Sequence, residues 1–267
     1  MYEKDLSTVM LDMLTDRHLN IFGRTGGGNG SGKTHLIAAM MKSLMARYSP
    51  DEVKFMVVDL KSSQLLDIID ERYILSWQGW ETVPVTNPAP GQPATTRRSV
   101  AHNGLILNAT ELTPAVEGIA NALAGRAPTE KVGMQERRER SWWSGPEVFV
   151  FVDDYAMVNS AAPQAFAPLA PYWGNAHSLG LHAVVSCPIG LATRVLAQSG
   201  SLVKMNNDVN GATLVMDGIK ENGPILGLRV QPRVTGRGVL ITAAGQEVIQ
   251  TPVVTEIEDL AGVPGSI

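Results

Sequence analysis

The chain has 267 residues, 44% hydrophobic and 18% charged, with a formal net charge of −4. That length and apolar content suit one sizeable core, and a mildly acidic balance argues against a general nucleic-acid binder, which needs clustered Lys and Arg. The single cysteine, Cys187, excludes an intrachain disulfide, no apolar run reaches the roughly 18 residues of a membrane span, and the N-terminus lacks a secretory pattern, so a cytoplasmic setting is expected.

Short apolar runs alternate with helical patterns along the chain, which favours an α/β fold. His18 to Phe22 is a strand candidate that runs into a glycine-rich loop, and a helix is expected from Thr34 to Tyr48, with Leu36, Ile37, Met40, Met41 and Leu44 on one face and Pro50 just beyond. Lys54 to Leu60 is expected to be a buried strand with Asp59 near its end. Residues 81–101, rich in Pro, Thr and Gly, are expected to form a loop, followed by a short strand at Leu105 to Leu107 and helices over Ala115 to Leu123 and Glu130 to Arg140. Val148 to Val152 is an apolar run closed by two aspartates, and His182 to Ser186 is a further buried strand. Val239 to Thr242 and Glu247 to Val254 flank Ala244-Gly245 as an antiparallel hairpin.

Gly27-Gly28-Asn29-Gly30-Ser31-Gly32-Lys33-Thr34 fits G-x-x-x-x-G-K-[ST] completely. Backbone N–H groups must curl around phosphate oxygens, and glycine permits the positive φ angles this requires. The following helix aims its N-terminal donors at the same anion. In this pattern Lys33 supplies charge to the β and γ phosphates and the Thr34 hydroxyl ligates Mg2+. The strand before and the apolar-faced helix after are the context the motif needs. Gly23 to Gly32 holds six glycines, more than the motif demands, and the extra freedom raises the entropy cost of closing on phosphate. Weak ATP affinity is therefore expected.

Phe149-Val150-Phe151-Val152-Asp153-Asp154 has the form of a Walker B strand, an apolar strand carrying carboxylates to the sheet edge. Asp153 is the expected Mg2+ residue and Asp154 the residue that positions water. The more usual Glu is one methylene longer, so a shorter reach predicts slow hydrolysis. Asp59 fits an ordinary polar strand end equally well.

Trp142-Trp143-Ser144-Gly145-Pro146 between Arg140 and Glu147, then Asp153-Asp154-Tyr155, the opening from Asp16 to Gly23, and Gly236-Arg237-Gly238 together resemble the EccC ATPases of type VII secretion, within the FtsK/SpoIIIE group of motor domains. The likeness runs from about Leu11 to Val254 and is nearest to the last of three tandem ATPase domains. It implies a RecA-like P-loop fold, with a mainly parallel sheet between helices and a C-terminal antiparallel hairpin. It implies a single ATPase domain over residues 1–267, one of several in a longer chain. It also implies a cytoplasmic motor held at the cell membrane by the rest of a secretion complex. The expected partners are the other ATPase domains, the membrane complex and secreted WXG-type substrates with a C-terminal signal; no nucleic acid is expected. There are departures from the group. DNA-pumping relatives carry a Thr-Gln-Arg-Pro-like segment where this chain has Ser186-Cys187-Pro188, and a Ser-Arg-Thr segment where it has Gly211-Ala212-Thr213. A lost Arg removes charge from phosphoryl transfer.

Three readings follow: a slow ATPase motor, a nucleotide-binding or degenerate substrate-receptor module without significant turnover, and, least supported, a DNA translocase. Arg237 between glycines fits a turn entering a strand better than a charge donated to a neighbouring subunit. Trp142 and Trp143 suit packing before partner binding. His177 and His182 lack ligand spacing for a metal, the Arg137, Arg138 and Arg140 run suits a solvated helix face, and Cys187 suits a structural thiol.

Overall fold

The computed structural model describes residues 9, 11, 18–25, 30–62, 64–84, 86 and 95–252. Its centre is an eight-stranded sheet of order β12-β11-β8-β1-β7-β6-β2-β5. The strands are β1 (His18–Gly23), β2 (Val53–Val58), β5 (Leu105–Ile106), β6 (Glu147–Val152), β7 (Leu181–Pro188), β8 (Ala212–Val215), β11 (Arg237–Thr242) and β12 (Gly245–Gln250). The six from β8 to β5 are parallel; β11 joins β8 antiparallel and β12 closes the edge as a hairpin partner.

Alternation along the strands builds two core layers. In β6, Val148, Val150 and Val152 face one side while Phe149 and Phe151 face the other, because successive side chains in a strand point to opposite faces. The first side is covered by α2 (Ala109–Arg126), α4 (Tyr155–Ala161), α5 (Ala170–Trp173), α6 (Ala192–Ala197) and α7 (Leu202–Asp208). The second is covered by α1 (Lys33–Arg47), which buries Leu36, Ile37 and Met41 against Leu19, Phe55 and Phe151. Parallel strands covered on both faces read as continuous apolar runs, which is why β1, β2, β6 and β7 were visible in the sequence.

Three expectations change. Residues 81–84 and 95–101 are strand, not loop: β3 (Ser76–Pro84) and β4 (Thr95–Asn103) pair antiparallel in a sheet of their own, from Ser76 opposite Asn103 to Pro84 opposite Thr95. The helix expected over Ala115 to Leu123 begins six residues earlier, at Ala109, where the Asn108 side chain caps it by accepting the Thr110 N–H at 3.1 Å, and Pro114 lies inside it. The charged helix shrinks to α3 (Met134–Glu139). A small two-stranded sheet of β9 (Pro224–Ile225) and β10 (Leu228–Arg229) precedes the C-terminal hairpin, whose second strand ends at Gln250; Val253 and Val254 of the expected strand lie outside the described residues. Among the described residues no helix is long and apolar enough to cross a membrane.

Candidate functional site

The carboxyl ends of β1, β7 and β6 lie side by side, with β7 between the strand that feeds the glycine loop and the strand that ends in Asp153. Such an edge is where open α/β sheets bind ligands. Gly32, at φ +95, turns the loop into α1, a left-handed backbone that glycine adopts without penalty. Lys33 is buried, and its Nζ donates to the carbonyl oxygens of Gly23 and Arg24 at 3.1 and 2.8 Å. Burial pushes this ammonium below the usual lysine range, against the opposing pull of Asp153 and Asp154. Ser31 is buried and its Oγ donates to the Arg24 carbonyl at 3.2 Å. Gly27, Gly28 and Asn29 lie outside the described residues.

Thr34 Oγ1 donates to Asp153 Oδ2 at 2.8 Å. This bond joins the end of the motif to the acidic strand across 119 residues of sequence. The other Asp153 oxygen, Oδ1, accepts from Ser186 Oγ at 2.5 Å, and Ser186 Oγ in turn accepts the Asp154 N–H at 2.9 Å. Asp154 caps α4 with a left-handed backbone, φ +54, an unusual state for a residue with a side chain and one found often at functional positions. Its carboxylate pairs with Lys61. Asp59 is buried at the end of β2, where its Oδ1 accepts the Lys61 N–H at 3.3 Å. Beside the loop opens a cavity of about 640 Å3, lined by Arg24, Thr25, Lys61, Asp154, Pro188 and Gly190 among others.

A second contact was not foreseen. The turn before β11 sits on the glycine loop: Thr235 Oγ1 donates to the Gly30 carbonyl at 3.0 Å and the Gly236 N–H to the Ser31 carbonyl at 2.9 Å. Gly236, at φ +79, then accepts from the Thr251 N–H at 2.8 Å. Arg237 opens β11 directly after this turn. The glycines on either side of Arg237 were the only sequence signal for it.

The FtsK/SpoIIIE family profile matches residues 5–74. The EccCb1 protein of the ESX-1 secretion system of Mycobacterium tuberculosis is 32% identical over 267 residues, which is 99% of this chain and 40% of that relative. Among solved structures, the cytoplasmic domain of the type VII secretion ATPase EccC of Thermomonospora curvata superposes with a TM-score of 0.75 at 27% identity, covering 94% of this chain and 25% of that one. This chain is a homologue of the EccC ATPase domains, and its residues 5–74 match the FtsK/SpoIIIE family. ATPases 2 and 3 of the same Thermomonospora curvata EccC, solved in complex with a signal sequence peptide, give a TM-score of 0.72 at 26% identity over 94% of this chain and 39% of theirs. The chain spans 40% or less of the length of the curated relatives named EccCb1 and EccC that it matches.

Within this EccC-like frame the remaining candidates take structural positions. Trp142 Nε1 donates to the Arg126 carbonyl at 2.7 Å and Trp143 Nε1 to the Ser178 carbonyl at 2.9 Å. The Arg126 guanidinium lies 4.1 Å from the Trp143 ring centroid, a cation–π contact. Arg137 and Arg138 face solvent, whereas Arg140 turns inward to Glu147 at 2.6 Å. His182 stacks on Phe149 and bonds Glu147 at 2.9 Å; His177 bonds the neighbouring Ser178 hydroxyl at 3.1 Å. Cys187 is fully buried in β7, and burial pushes its thiol up to about 12, which leaves it a poor nucleophile. Ala212 is buried at the start of β8, beside Leu19 and away from the loop end of β1. A charge at that position would start from the opposite end of β1 to the glycine loop.

Proposed function

We propose that this domain binds MgATP on the loop from Gly27 to Thr34 and hydrolyses it slowly, as one ATPase unit of a longer type VII secretion motor. The observation that carries the reading is the 2.8 Å bond between Thr34 and Asp153, which gathers two hard oxygen donors beside the buried Lys33. Such a set fits Mg2+, which prefers oxygen ligands and substrate phosphates; bound there it would neutralise phosphate charge. Lys33 holds the β and γ phosphates, Thr34 and Asp153 hold the metal, and Asp154 orients the attacking water. The EccC homology supports a place at the cell membrane through the rest of a secretion complex. The signal peptide bound by ATPases 2 and 3 of the Thermomonospora curvata protein supports WXG-type substrates, recognised through a C-terminal signal, as partners.

Titration calorimetry with MgATP tests the site. The wild type should bind and Lys33→Ala should bind at least about tenfold more weakly, the scale of one charge-assisted phosphate contact. Equal binding by both proteins, or none by either, would reject it. The receptor reading, with nucleotide bound but scarcely turned over, is favoured by one observation, the engagement of Asp154 by Lys61. A turnover assay on the binding-competent protein separates the two.

A further inference from the structure

The loop after β2 brings a cation to the site that the phosphate motif does not contain. Ser62 adopts φ +51 and donates its N–H to the Asp59 carbonyl at 3.2 Å, so the chain folds back over the sheet edge. With the Asp59 carboxylate holding the Lys61 N–H, the lysine side chain is directed to Asp154. The two partners differ in solvation. The Asp154 side chain is 11% exposed and that of Lys61 43%, so the carboxylate is enclosed in the site while its cation, on a four-carbon stem with many rotamers, has access to water. Both line the cavity beside the phosphate loop. Lys61 also lies near enough to Lys33 for its charge to help lower the Lys33 pKa, after burial, which is the main cause.

Thr34, Asp153, Ser186, Asp154 and Lys61 therefore form one linked series, ordered from the end of the phosphate loop to the mouth of the cavity. A terminal phosphate entering that cavity offers more negative charge than one carboxylate and oxygens that take charge-assisted hydrogen bonds. A diphosphate, lacking that group, leaves the ion pair undisturbed. Resting on the nucleotide reading above, we propose that Lys61 is the residue that distinguishes a triphosphate from a diphosphate: it pairs with Asp154 beside a diphosphate and moves to the terminal phosphate of a triphosphate, freeing the Asp154 carboxylate. Only ionic partners are exchanged; no covalent bond forms or breaks. The consequence is that Asp154 becomes available to orient water only when there is a phosphate to transfer.

The test compares affinities for MgADP and for Mg2+ with a non-hydrolysable ATP analogue, by calorimetry, in the wild type, Lys61→Met, Lys61→Arg and Asp154→Asn. The wild type should prefer the triphosphate. Lys61→Met should shrink that preference about tenfold, one charge-assisted contact, and Lys61→Arg should keep most of it. Asp154→Asn removes the resting partner of Lys61 and should widen the preference. It carries the test by itself if Lys61→Met does not fold. An unchanged preference in the variants, an equal loss for both nucleotides, or a wild type that prefers neither overturns the assignment of Lys61 while the phosphate loop reading stands. A wild type that binds no nucleotide overturns both together.

Discussion

Ser186 touches both members of the acidic pair, donating to Asp153 and accepting from the backbone of Asp154. Removing its hydroxyl leaves the buried Asp154 N–H without its acceptor, which costs about 1–3 kcal/mol. Ser186→Ala should lower the denaturant midpoint accordingly, and a midpoint within error of wild type would mean that the series through Ser186 contributes nothing to the fold. In the sequence this residue registered as the end of a buried strand and as a departure, standing where DNA-pumping relatives carry a longer polar segment. Lys33, Thr34 and Asp153 were legible because their spacing is fixed by local geometry: loop into helix, strand into edge. Ser186 and Lys61 were not, because what matters about them is a neighbour 33 residues away for Ser186 and 93 for Lys61, and no local pattern encodes that distance.

At the scale of elements, the same contrast separates the buried strands from the β3–β4 hairpin. The parallel strands announce themselves by apolar runs, whereas β3 and β4 pair with each other in a sheet of their own, and none of their described side chains is fully buried. Its anchor is Trp77, which stacks on His102 and lies against α2 at Gly118. A Cβ at Gly118 would stand 2.5 Å from the indole. Alanine in a helix interior ordinarily gains about 1 kcal/mol over glycine, but overpacking costs about 1–3 kcal/mol. Gly118→Ala should therefore destabilise the protein and shift its tryptophan emission to the red. A stabilised variant would show that the hairpin is free to move away. The turn at Gly236 gives a second test. Alanine there must hold φ +79, a left-handed backbone costing roughly 1–2 kcal/mol, with its Cβ 2.5 Å from Gln250 Nε2. Gly236→Ala should lose stability and also weaken MgATP binding, since the turn holds Gly30 and Ser31; full affinity in the folded variant would separate the turn from the site. Pro114 illustrates why the start of α2 was misread. The helix runs through this proline, because Asn108 caps it and starts it six residues before the expected first residue, Ala115.

The whole molecule adds a pH dependence that begins far from the phosphate loop. Glu147, at the start of β6, is under two opposing influences. Burial raises its pKa, but His182 and Arg140 outweigh it and hold the carboxyl below its ordinary value of 4.5. A carboxylate whose folded pKa is depressed contributes stability above its unfolded pKa and loses it as pH falls through the folded one. Wild-type stability should therefore fall as pH drops from about 4.5, and Glu147→Gln should be less stable at neutral pH with a flatter profile in that acid range; parallel profiles would reject the linkage. The α/β architecture was readable from the alternation of buried runs and amphipathic segments. The order of strands was not, because a parallel sheet leaves the choice of neighbours to packing between distant segments.

The contact between the turn at Thr235 and Gly236 and the glycine loop has a mechanical meaning. Thr251, Gly236 and Ser31 are joined by two hydrogen bonds in series, with Thr235 to Gly30 in parallel. Tension applied at Thr251 would reach the phosphate loop through these bonds as well as through the pairing of β12 with β11. The C-terminal hairpin is thereby tied to the glycine-loop end of the sheet.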